Sequence, residues 1–172
     1  MVFMNSYIVF WSLLFLISIN DLKFHRIPNK LLLILLSFQA LNIHIYELPL
    51  GNFLLGGTLL FFISLIMFLL KVMSPGDVKL LGVVGFCVGL NDVGGCITWI
   101  VLASGIIGTL FTVYNFSFLG IKNPLLLINE PKLYTRINTN AQNSNPWRYG
   151  DKLTMPFAPS VMVGLALFYY FN

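Results

Sequence analysis

Charge is what this chain has least of. Only 9% of its 172 residues are charged and 58% are hydrophobic, where an average soluble domain carries roughly 25% charge. So small a share cannot cover a soluble globule with polar surface, which points to an integral membrane protein. Cysteine is nearly as scarce. Cys87 and Cys96 are the two present, with no C-x-x-C and no Cys/His tetrad, so a zinc ribbon is excluded and no metal is expected. Both lie in or beside apolar runs and read as small buried hydrophobes. No basic stripe interleaves with aromatics, so the net charge of +4 is assigned to membrane orientation and not to nucleic acid. The first residues lack a basic stretch and a small-residue cleavage site and read as an uncleaved first span, not a signal peptide.

What is abundant is apolar sequence, in six runs. A span needs about 20 mostly apolar residues, and the runs lie at about 3–20, 31–46, 53–70, 77–90, 96–116 and 156–171. The predicted fold is all-α: one polytopic membrane domain of six transmembrane helices, with a loop over 117–155. Charge sets the orientation. With the N-terminus outside, the inner segments 21–30, 71–79 and 117–155 hold Lys23, Arg26, Lys30, Lys71, Lys79, Lys122, Lys132, Arg136, Arg148 and Lys152, which is all ten basic residues. The outer segments hold only Glu47 and Asp92. Basic residues collect on the cytoplasmic side, so both termini are expected outside, in the periplasm of a bacterial inner-membrane protein.

Punctuation agrees with these ends. Ile27-Pro28-Asn29 places proline to start the second helix, and Pro75-Gly76 does the same for the fourth. Leu90 to Gly95 reads as a tight outer turn. Gly56-Gly57, Gly105 and Gly108 read as packing positions, since small residues let helices approach closely in lipid. In the long loop, 123–134 is partly apolar and suits an interface, whereas 136–151 is Asn-rich and expected to be flexible. Trp147 and Tyr149 read as interfacial anchors.

Two aspartates stand out. Asp21 lies at the inner end of span one and Asp77 at the inner start of span four, each followed two residues on by a lysine, Lys23 or Lys79. A carboxylate at a span margin is costly and marks a functional site by default. Two at one depth suit acid/base chemistry with one shared proton: one activates water, the other polarises a carbonyl. Such a pair needs no metal or cofactor. The structural alternative makes each an interfacial cap, Asp77 as a helix N-cap, paired with its lysine or with water. Positions i and i+2 point apart on a helix, so the lysines are expected to reach for phosphates. His25 and His44 fall on opposite faces and cannot pair; His25 is expected to be solvated. Helix dipoles predict an ionised Asp77, at a helix start, and a proton-bearing Asp21, at a helix end.

These residues carry a resemblance. P-G-D-V-K-L-L at Pro75 to Leu81 resembles the G-x-G-D-x-K-L motif of the prepilin peptidases, integral-membrane aspartic proteases. N-D-L-K-F-H-R-I-P-N at Asn20 to Asn29 is similar to their first-aspartate motif, and M-P-F-A-P-S-V-M-V-G at Met155 to Gly164 to the Pro-rich start of their last span. The resemblance implies that Asp21 and Asp77 form the catalytic dyad, that Gly76 lets backbone or substrate come close, and that Lys23, Lys79, Pro28 and Asn29 belong to the supporting motifs. It implies cleavage of the short basic leader of prepilin or pseudopilin substrates at the cytoplasmic membrane face, without cofactors. Ser74 departs from the family in replacing the motif's first glycine. The chain resembles the short form found with tight-adherence (Flp-type) pili, which lacks the Cys-tetrad domain of bifunctional members, so no N-methylation is expected. The rival readings are a small ion- or proton-coupled transporter subunit and a catalytically inactive pilus-assembly protein.

Overall fold

The computed structural model describes residues 2–118, 148–149, 152–153 and 156–171. Among them are six helices: α1 (Val2–Phe24), α2 (Asn29–Ile45), α3 (Leu50–Leu69), α4 (Pro75–Val88), α5 (Leu90–Phe118) and α6 (Ala158–Phe171). A two-residue antiparallel pair, β1 (Arg148–Tyr149) with β2 (Lys152–Leu153), sets Arg148 opposite Leu153 and Tyr149 opposite Lys152. Tyr149 therefore belongs to a paired strand within the stretch expected to be flexible. Residues 123–134 and Trp147 lie outside the described residues.

Each helix end has a local cause. His25 takes a left-handed conformation (φ 49°) and its N–H donates to the Asp21 carbonyl at 2.9 Å, closing α1. Pro28 then disfavours helix at Ile27. Pro28 is itself the N-cap of α2, one position earlier than its predicted place in the first turn: its extended backbone (ψ 120°) turns its carbonyl to the N–H groups of Leu31 and Leu32. Pro49 caps α3 in the same way. Pro75 holds the first position of α4, where its missing N–H leaves nothing unpaired. The expected outer turn over Leu90 to Gly95 is instead the start of α5. The turn is compressed into Gly89, whose φ of 85° and ψ of 159° suit glycine alone.

The chain forms two compact units. The first is Met1–Ser104 with Pro156–Asn172; the second is Gly105–Met155. In the first, α4 is central. Nine of its fourteen residues are buried, from Val78 to Val88, as expected of a helix apolar on every side. It packs on α3 and α2, while α1 packs on α6 and α2. Leu14, Ile17, Leu35, Leu80, Val84, Val161 and Leu165 fill the core between them.

The α3–α4 contact is the closest. A Cβ added to Gly85 would lie 2.5 Å from the Gly56 carbonyl oxygen, and one on Gly56 would lie 2.7 Å from that of Gly85. The outer faces stay apolar: Leu54, Phe62, Ile66 and Leu69 of α3 are exposed. Among the described residues, two stretches are long and apolar enough to cross a membrane, Leu50–Leu69 and Leu90–Val113. The apolar helices α2 and α6 are shorter, at 17 and 14 residues.

Candidate active site

Asp21 sits in the last turn of α1 and is only 5% exposed. Its partner comes from far along the chain. The Ala158 N–H, at the start of α6, donates to Asp21 Oδ2 at 2.9 Å, and the Phe157 N–H also bonds to this carboxylate. Local sequence explains the pairing. The first N–H groups of a helix lack intrahelical partners. In Pro156-Phe157-Ala158-Pro159 the two prolines have no N–H, so of these four residues Phe157 and Ala158 alone offer donors. Asp21 takes both, and the positive end of the α6 dipole faces its charge.

Asp77 is half-buried in the first turn of α4. The structural alternative makes Asp77 the N-cap, but Ser74 holds that place. The Ser74 N–H donates to Asp77 Oδ2 at 3.1 Å and the Asp77 N–H to Ser74 Oγ at 3.4 Å, a reciprocal capping box. Ser74, the departure from the G-x-G-D pattern, thus fixes the Asp77 side chain against the helix start. Removing it has a predictable outcome. Ser74→Ala is expected to lower stability by about 1 kcal/mol and Ser74→Gly by only a few tenths, as read from thermal melts in detergent.

The two carboxylates are close enough for the charge of Asp21 to act on Asp77. Each faces a helix N-terminus, α6 for Asp21 and α4 for Asp77. The dipole difference expected from α1 and α4 alone is therefore offset by α6, and the unequal roles built on it lose their basis.

The remaining sequence-predicted residues divide. Lys79 Nζ donates to Asn29 Oδ1 at 3.2 Å, joining the first turns of α4 and α2. Pro28, as the cap of α2, sets Asn29 in place. At Gly76 an added Cβ would come no nearer than 3.5 Å, to Ile27 Cβ, an ordinary contact. Lys23 is exposed, its Nζ 5.3 Å from the centre of the Phe24 ring. Two contributors were missed. His25, expected in solvent, is half-buried and interacts electrostatically with Asp21. The N–H groups of Phe157 and Ala158 were also missed; the two flanking prolines were the available signal.

The fold is that of an apolar helical protein with a buried and a half-buried carboxylate at helix ends, near enough for the charge of one to act on the other. The chain belongs to the type IV leader peptidase family, whose model matches residues 8–113. Both aspartates and their flanking motifs fall within the match, while the α6 entrance lies beyond it. The protein is accordingly a peptidase of the leader-peptidase type, from a family of membrane proteins that acts on prepilin-type substrates. No curated protein and no solved structure matches it.

Proposed function

We propose that this chain is a prepilin leader peptidase that works through an Asp21–Asp77 dyad at the cytoplasmic face of a bacterial inner membrane. It hydrolyses the bond between the short basic leader and the hydrophobic helix of prepilin or pseudopilin substrates. The supporting observation is that Asp21 of α1 and Asp77 of α4, both within the family match, stand near enough for the charge of one to act on the other. The complete segregation of basic residues supports six spans with both termini in the periplasm, working as one domain.

In this mechanism the dyad shares one proton and titrates as a unit. A water between the carboxylates gives a proton to the ionised member as its oxygen bonds to the scissile carbonyl carbon. The protonated member hydrogen-bonds the carbonyl oxygen as charge develops there. When the C–N bond breaks, the amine takes up a proton from the dyad, which returns to its one-proton state. Helix N-termini at both carboxylates, with the Phe157 and Ala158 N–H groups on Asp21, hold the pair for this work without metal or cofactor.

The rival readings have less support. The capping box shows Ser74 holding Asp77 at the start of α4, which weakens the main argument for an inactive assembly protein. A proton-relay reading calls for carboxylates deep within spans, and those of the described residues, Asp21, Glu47, Asp77 and Asp92, lie at or near helix ends. Proteolysis without methylation is the expected output, because two buried cysteines cannot form a four-cysteine site.

Co-expression with a prepilin-type substrate tests this reading: a shorter product is expected on a gel, with an unmethylated new N-terminus by mass spectrometry. Persistence of full-length substrate contradicts it. Gly76→Ala tests substrate approach. With a 3.5 Å contact for the new Cβ, the melting temperature is expected to stay within a few degrees of wild type. KM is expected to rise, because the methyl occupies space kept for substrate.

A further inference from the structure

Three helices of the first unit are followed by a residue of positive φ that is not glycine: His25 after α1 (49°), Glu47 after α2 (52°) and Lys71 after α3 (60°). Glycine is usual at such a place, because a side chain in the left-handed region is costly. Glu47 and Lys71 are exposed, as charged side chains usually are. His25 differs. It is half-buried, and its Nδ1 is shut off from solvent.

The His25 N–H donates to the Asp21 carbonyl at 2.9 Å, so the imidazole is carried by the same turn that carries the Asp21 carboxylate. Its charge acts on that carboxylate, and the charge of Asp21 acts in turn on Asp77 of α4. The other charged groups of the elements that meet there are Lys23 on α1, Arg26 before α2, Lys30 on α2, Lys71 after α3 and Lys79 on α4. All five are exposed, where water and salt screen them. Helix α6, from Ala158 to Phe171, has no charged residue. Among the described residues of α1 to α4, His25 is the one basic side chain that is not exposed.

We propose that His25 is a positioning residue of the acid pair: its charged ring keeps Asp21 the ionised member as the pH falls. The inference rests on the leader-peptidase reading above, whose one-proton dyad is the state it protects. Imidazoles as a class take up a proton at about pH 6.5 and carboxylates at about pH 4. On the acid side a histidine is thus charged before a second proton reaches a carboxylate pair, and a cation beside Asp21 opposes that proton. The Phe157 and Ala158 N–H groups act in the same direction, since bonds donated to a carboxylate favour its ionised form. A costly backbone conformation kept beside an acid pair fits such a role.

The test is the acid limb of the pH profile of kcat/KM for a prepilin-type substrate, with the purified protein in detergent. His25→Asn and His25→Gly remove the charge, and both new residues are at ease in the left-handed region. Both variants are expected to melt within a few degrees of wild type, while the limb moves up by about 1 pH unit, the scale set by an ion close to a carboxylate. His25→Lys stays charged across this range, and lysine already adopts the conformation at Lys71. Its limb is expected to lie nearer to that of wild type than either neutral variant's does. A limb that stays in place in a folded neutral variant overturns the inference, and so does an equal rise in His25→Lys. Loss of cooperative melting in both neutral variants makes the residue structural and overturns it as well. In these cases wild type still cleaves and the peptidase reading stands. A wild type that cleaves no prepilin-type substrate at any pH removes the reading and the inference together.

Discussion

Gly85→Leu is expected to abolish the folded protein. The first atom of any side chain at this position would stand 2.5 Å from the Gly56 carbonyl oxygen, 2.9 Å from Leu60 Cβ and 3.0 Å from the Gly56 carbonyl carbon. Two of these three are backbone atoms, so no rotamer change relieves the clash. Helices α3 and α4 have to move apart along their closest contact. Overpacking of a core costs typically about 1–3 kcal/mol where side chains can adjust. Here they cannot, and a loss above about 4 kcal/mol is expected, a large part of the whole stability of a domain. Because α4 carries Asp77 and forms the centre of the core, a partial opening would also displace the site. Gly51 is the control: an added Cβ there meets nothing within 4 Å, and alanine favours a helix over glycine. In detergent, Gly51→Ala is expected to melt at or slightly above wild type, and Gly85→Leu to give no cooperative transition.

Asp21→Asn and Asp77→Asn are expected to lose activity by about 10²–10⁴-fold, the usual contribution of a positioned acid or base, while remaining folded. Asparagine has nearly the volume of aspartate and keeps one carbonyl-type acceptor. At position 21 it can still accept from Phe157 and Ala158, and at position 77 from Ser74. Stability should therefore change by no more than about 1 kcal/mol, the scale of a helix cap. Asp21→Ala differs, since it leaves the two N–H groups at the α6 entrance without their acceptor and is expected to cost about 1–3 kcal/mol. The double Asn variant should be no slower than the worse single one, because groups that act as a unit are not additive.

Most of the helices were legible as apolar runs bounded by proline or charge; the break between α4 and α5, at Gly89, was not. Pro28, Pro49 and Pro75 mark the starts of α2, α3 and α4 within a residue. The aspartates were legible for a different reason, the cost of a carboxylate at a span margin. What the chain did not announce is long-range. Asp21 is bonded by a residue 137 positions away, and no local pattern in α1 indicates that α6 begins against it. The dipole comparison failed for that reason: it weighed each aspartate against its own helix alone. Closer to hand, Ser74-Pro75-Gly76-Asp77 has the spacing of a capping box, with aspartate standing where glutamate is usual. The Leu90 to Gly95 stretch misled because its glycines suggest a turn, whereas Gly89 alone supplies the one conformation that the connection needs.

The central claim is that Asp21 and Asp77 work together on a prepilin leader. The most direct measurement is a leader-processing gel in cells that express a prepilin-type substrate with wild type, Asp21→Asn, Asp77→Asn or the double variant, each matched for membrane-inserted, folded protein. The account predicts complete leader removal by wild type and unprocessed substrate in all three variants. Normal processing by either single variant contradicts it.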